Sequence, residues 1–88
     1  PKAFSLHQNY PNPFNPVTTI KFTVPFLDKV SIKAYNLLGK EIATLLNREV
    51  PSGIHSITWD ARYQSSGIYF IRMESGSFIK TQKVMLMK

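Results

Sequence analysis

The sequence predicts an all-β fold, an Ig-like antiparallel β-sandwich of about seven strands. Three observations carry that expectation. Apolar and polar residues alternate with period two in short runs, such as Ile20-Lys21-Phe22-Thr23-Val24 and Ile57-Thr58-Trp59-Asp60. Turn residues interrupt these runs roughly every 8 to 14 residues. No stretch makes a convincing helix, so a βαβ arrangement has nothing to build from.

The chain has 88 residues, 43% of them hydrophobic, with six Phe, four Tyr and one Trp. That is one small domain, residues 1–88, with enough apolar material for an efficient core. Residues 1–17 read as a lead-in and a Pro/Asn-rich turn. Within the lead-in, Phe4 and Leu6 flank Ser5 as a short edge strand would. Pro11, Pro13 and Pro16 fix φ and remove amide donors, and the residue before each is pushed to extended geometry. Asn12 and Asn15 are placed to close Asx-turns with their own backbone. Tyr10 and Phe14 are expected to anchor this rigid loop in the core.

Thr18–Val24 is the first long strand, with Ile20, Phe22 and Val24 on one face and Thr19, Lys21 and Thr23 on the other. Pro25 ends it, and Asp28-Lys29 is expected at the tip of the following connection. Val30–Tyr35 comes next, with Val30, Ile32 and Ala34 inward. Asn36-Leu37-Leu38-Gly39 fits a type I turn. Glu41–Leu46 breaks strict alternation, which a bulge or burial on both faces explains; a helix over Leu37–Leu46 is the competing reading. Gly53 punctuates before Ile54–Asp60, where His55, Ile57 and Trp59 share a face. After a polar loop, Gly67–Glu74 is a strand with Tyr69, Ile71 and Met73 on one face and Phe70 and Arg72 on the other; Trp59, Tyr69, Phe22 and Ile57 are expected in the core. Ser75-Gly76-Ser77 is a hairpin turn. Phe78–Met87 is the last strand, with Val84 and Leu86 inward.

Composition narrows the chemistry. There is no cysteine, which excludes disulfides, thiolate metal sites and thiol nucleophiles. No apolar run approaches the ~20 residues of a spanning helix, so membrane insertion is not expected. A charged segment followed by an apolar one is also missing, so a signal peptide is expected elsewhere in a longer parent protein. The net charge is +6, but the cations are spaced from Lys2 to Lys88 without a run. Solvated strand faces explain this, and a partner surface is the alternative.

The acids Asp28, Glu41, Glu49, Asp60 and Glu74 all fall at expected turns or strand ends, where carboxylates are solvated. Asp60 reads as an Asx-type cap. His7 and His55 are too few for a zinc site, and His55 reads as a hydrogen-bonding residue at the core edge. No G-x-S-x-G motif or phosphate-binding Gly-rich loop occurs. No catalytic residue, cofactor or metal is expected. Lys21, Lys33, Phe70 and Arg72 project as an oligonucleotide-binding sheet would require, but most aromatics fall on core positions, and nucleic acid is not the expected partner. A carbohydrate-binding sandwich is the better rival, with Tyr35, Tyr63, Phe70 and Phe78 as its candidate aromatics.

Several runs together resemble a known family. Leu6-His7-Gln8-Asn9-Tyr10-Pro11-Asn12-Pro13-Phe14-Asn15-Pro16-Val17-Thr18-Thr19-Ile20 is similar to the opening of type A C-terminal sorting domains of the type IX secretion system, themselves related to the Ig-like domain of the flagellar hook-capping protein. Val30–Glu41 with Gly39, Pro51-Ser52-Gly53-Ile54-His55, Trp59-Asp60, Ser66–Arg72 with Gly67 and Tyr69, and Lys83-Val84-Met85-Leu86-Met87-Lys88 follow in the family's order. Ala34 departs from the larger β-branched residue commoner there.

The resemblance implies a non-catalytic tag on a larger exported protein of Bacteroidetes-type bacteria. It implies passage through the periplasm, recognition by the outer-membrane translocon, processing by a sortase component and attachment to anionic lipopolysaccharide. The cargo then ends secreted or held on the cell surface. Lys83, Val84, Met85, Leu86, Met87 and Lys88 are the candidate recognition element. Asn9 to Pro16, Gly39, Gly53, Trp59, Asp60, Gly67 and Tyr69 are read as structural. An Ig-like spacer or assembly module and a carbohydrate-binding module are the alternatives.

Overall fold

A computed structural model describes Pro1–Lys88. It contains seven strands and no helix: β1 (Ser5–Leu6), β2 (Val17–Val24), β3 (Asp28–Tyr35), β4 (Glu41–Val50), β5 (Gly53–Asp60), β6 (Gly67–Ser75) and β7 (Phe78–Leu86). One sheet has the order β1-β2-β5 and the other β4-β3-β6-β7. Every strand pairing is antiparallel. Compared with an Ig constant-type arrangement, the fourth strand pairs with the third instead of joining the first sheet.

Alternation decides the faces. Ile20, Phe22 and Val24 from β2 meet Val30, Ile32 and Ala34 from β3, Tyr69, Ile71 and Met73 from β6, and Val84 and Leu86 from β7, all buried in one cluster. The burial of such side chains stabilises by roughly 1.5–3 kcal/mol each for the larger ones. Trp59 links the proline loop to this core. Its ring centroid lies 5.5 Å from that of Phe14 and 5.7 Å from that of Tyr69, the second contact edge-on.

The β6 start carries an Ig hallmark. Tyr69 is buried, and its hydroxyl donates to the Ser65 carbonyl at 2.6 Å. This is a tyrosine corner, in which an otherwise costly buried hydroxyl locks the preceding loop.

The turns follow their chemistry. The Gly39 N–H donates to the Asn36 carbonyl at 2.9 Å, and Asn36 Oδ1 accepts from the Leu38 and Lys40 N–H groups. Between β6 and β7 only Gly76 and Ser77 lie outside the strands, and Ser75 pairs with Phe78. Gly76 has φ of 56°, and no residue other than glycine has positive φ. Positive φ at the first central position only is the type II′ signature, whose twist suits a hairpin.

One alternative is decided and two expectations are corrected. The segment Leu37–Leu46 is a turn and a strand, and its irregular pattern comes from register shifts opposite Ile32/Lys33 and Ala34/Tyr35. These leave Leu45 and Ile42 as extra residues on β4, so the bulge reading holds and the helix reading does not. Asp28 and Lys29 belong to β3, paired with Val50 and Glu49, and are not a loop tip. Tyr10 is 80% exposed, whereas Phe14 is 2% exposed. Tyr10 sits in an isolated antiparallel bridge with Thr19, exchanging both backbone bonds with it, so its backbone is anchored and its ring is not.

Candidate functional site

The two most distinctive runs, Asn9–Pro16 and Lys83–Lys88, are brought together. Strand β7 is an edge of its sheet, and the proline loop pairs with the outer side of its end. The Phe14 N–H donates to the Met85 carbonyl, and the Phe14 carbonyl accepts from the Met87 N–H, both at 2.9 Å. Phe14 thus bridges Leu86 in parallel. Asn12 adds a third bond, its Oδ1 accepting from the Met85 N–H at 3.0 Å. The local Asx-turn expected of Asn12 is replaced by this distant contact with an edge amide that points away from β6. The residues Tyr10, Asn12 and Asn15 each precede a cis proline.

Within the loop, Asn9 is buried at 2% exposure. Its Nδ2 donates to Thr18 Oγ1 at 3.0 Å, and Thr18 Oγ1 donates to the Pro11 carbonyl at 2.8 Å. This small network fixes the loop to β2. Further support comes from the Ala61 N–H, which donates to the Pro16 carbonyl at 2.9 Å. Composition does not single out Asn9 and Thr18 as buried; the sequence signal for it is that Thr18 is in phase with Ile20 on β2.

The candidate recognition run splits by alternation. Val84 and Leu86 are buried at 1% and 0% exposure, while Lys83, Met85, Met87 and Lys88 are exposed. Lys88 is tied down: its N–H donates to Ser66 Oγ at 3.0 Å, and its Nζ donates to the Arg62 carbonyl. A partner reading the folded domain therefore meets Lys83, Met85, Met87 and Lys88, and not Val84 or Leu86.

The remaining candidate residues make local contacts. Asp60 Oδ1 accepts from the Arg62 N–H at 3.1 Å, the expected cap, and its carboxylate also pairs with the Arg62 guanidinium. That hydrogen bond holds the Asp60 carboxyl below its usual range and raises the Arg62 guanidinium. Glu41 is likewise lowered, by the Thr44 hydroxyl at 2.9 Å and by Lys33. His55 stacks on Phe22 with centroids 5.4 Å apart, and its Nε2 lies 2.8 Å from the Pro51 carbonyl. No group of three or more His, Asp or Glu side chains converges to hold a metal ion.

The outer face of the four-stranded sheet carries Lys33, Tyr35, Phe70 and Arg72, whereas Lys21 lies on β2 of the other sheet, Tyr63 in the β5–β6 loop, and Phe78 stacks on Phe4 against the core. Tyr35 stands opposite Phe70, which stands opposite Lys83; Lys33 stands opposite Arg72. Lys33 is paired with Glu41 at 3.3 Å and Arg72 with Glu74 at 2.9 Å. Tyr35, Phe70 and Phe78 are half-buried, and Tyr63 alone of the four candidate aromatics is freely exposed, at 90%. The largest depression, about 250 Å³ beside Leu37, Leu38 and Tyr69, falls short of the ~300–1,000 Å³ of small-molecule sites.

In this β-sandwich the distinctive residues hold the domain's own edge together. The family model described as a secretion system C-terminal sorting domain matches residues 8–87, and the chain belongs to that family. It is a non-catalytic C-terminal sorting signal for type IX secretion, which leads to secretion or the cell surface. No curated protein and no solved structure gives a match.

Proposed function

We propose that the domain is read in its folded state by the outer-membrane translocon, on the exposed residues of β7 and of Met87-Lys88 that follow it. The observation that carries this is the placement of Lys83, Met85, Met87 and Lys88 on the surface while Val84 and Leu86 complete the core. A tag of this kind presents its signal only when the sandwich is closed. The parent passes the periplasm, a sortase component processes it, and the cargo is released or attached to anionic lipopolysaccharide. The +6 net charge favours acidic or anionic contacts along that route.

The test is export of a reporter fused to the domain in a type IX-competent host. The double variant Lys83→Glu/Lys88→Glu alters exposed charges and leaves Val84 and Leu86 in place. Reduced export with a retained melting temperature supports the surface reading. Undiminished export of the variant overturns that placement, and retention of the wild-type fusion overturns the sorting role itself.

A further inference from the structure

Beyond Phe14, the outer edge of β7 is open. In the β6–β7 hairpin, Phe78 pairs with Ser75 across a two-residue turn, and the ladder continues to Leu86 opposite Gly67. In such a ladder alternate residues turn both backbone groups to the partner strand and the others turn both away. Met85 fixes the phase, because its N–H goes to Asn12 and its carbonyl to Phe14. Ile79, Thr81 and Lys83 share that phase. Their N–H and C=O groups therefore point away from β6, and no backbone or side-chain bond reaches them from the rest of the chain. All three residues are exposed.

The inward side chains next to this edge are already committed. Lys80 Nζ donates to the Leu6 carbonyl at 3.1 Å, and Gln82 Nε2 donates to the His7 carbonyl at 2.9 Å. These tie β7 to the β1 edge of the other sheet, while its outer backbone between Ile79 and Lys83 stays free. Lys83 closes the row Tyr35–Phe70–Lys83 and has no carboxylate partner.

We infer that Ile79–Lys83 is a β-augmentation site for an extended, acidic segment of a partner protein. The incoming strand supplies backbone groups to Ile79, Thr81 and Lys83, as peptides do at other open sheet edges. It continues the line of pairing that Phe14 begins. The edge run Ile79-Lys80-Thr81-Gln82-Lys83 holds two lysines and no acid, so a carboxylate opposite or diagonal to Lys83 gains a cross-strand ion pair. The same lysines disfavour a second copy, which would bring its own Lys80 and Lys83 to the seam. The biological use of this edge rests on the sorting role; its geometry does not.

The experiment is an NMR titration of the domain with a capped hexapeptide of alternating Val and Glu, and with its Val/Lys counterpart. The amides of Ile79, Thr81 and Lys83 are expected to shift with the acidic peptide alone, and less at high salt. Thr81→Pro removes an outward N–H and no ladder bond, and it should abolish the shifts while the β6 amides stay in place. Lys83→Glu is the second variant and should reverse the preference between the peptides. Shifts confined to other strands, equal response to both peptides, no response at millimolar peptide, or concentration-dependent shifts of these amides without peptide would each overturn the inference. Failure of wild-type export with a positive titration removes the sorting role and leaves the docking edge standing; the reverse pair of results removes the edge alone.

Discussion

Phe14 and Met87 are joined by a backbone hydrogen bond, the Met87 N–H donating to the Phe14 carbonyl at 2.9 Å. Through it the proline loop near the start of the chain closes the last strand at its end. The Phe14 ring meanwhile packs on Trp59 in the core. One residue therefore holds both the edge and the interior.

Phe14→Ala should cost about 3–5 kcal/mol, as large-to-small changes at buried aromatics do. Denaturant unfolding measures the loss. Hydrogen exchange should show the Met87 amide losing protection beyond the global change, because its acceptor is positioned by the buried ring.

Within the same loop, Asn9 and Asn15 should differ sharply. Asn9→Ala leaves the buried Thr18 hydroxyl and Pro11 carbonyl with fewer partners and should destabilise by about 1–3 kcal/mol. Asn15 is exposed, and Asn15→Ala should stay within about 0.5 kcal/mol of wild type. Tyr10→Ser should be similarly mild, since the ring is in solvent. Equal losses at all three positions in thermal unfolding would contradict the described packing.

Tyr69→Phe should destabilise by about 0.5–1.5 kcal/mol through loss of the bond to the Ser65 carbonyl. The effect should be felt in the loop 61–66 and at Lys88, whose two bonds land on Ser66 and Arg62. Amide shift changes in that loop are the check.

The pH dependence has a definite sign. The Asp60 carboxyl is lowered in the folded state, so its contribution is present above the unfolded value of 3.8 and is lost as pH falls through the folded one. Glu41 acts the same way below its reference of 4.5. Carboxyl titration by NMR should place both below those references. Asp60→Asn should flatten the acid limb of the stability curve, and Arg62→Ala should raise the Asp60 pKa.

Much of this was legible in the sequence because strand alternation is local. Period two alone puts Ile20, Phe22, Val30, Ile32, Ile71, Val84 and Leu86 on the apolar faces of their strands, and all are buried. The turn at Gly39 and the Asp60 cap were equally local. The proline loop was harder. Its three prolines show rigidity but not direction, so Tyr10 and Phe14 read alike, and only the pairing of Phe14 with β7 separates them. Asn12 finds its partner 73 residues away, a distance over which local turn chemistry says nothing. Membership in the sorting family came from the motif runs. The split of Lys83–Lys88 into core and surface needed only alternation carried to the end of β7.

The sorting role is tested most directly by locating a reporter fused to the domain in two otherwise identical hosts, one with a working type IX translocon and one without. The expected result is reporter at the surface or in the medium of the first and retained inside the second. Equal release from both hosts, or retention in both, would contradict it.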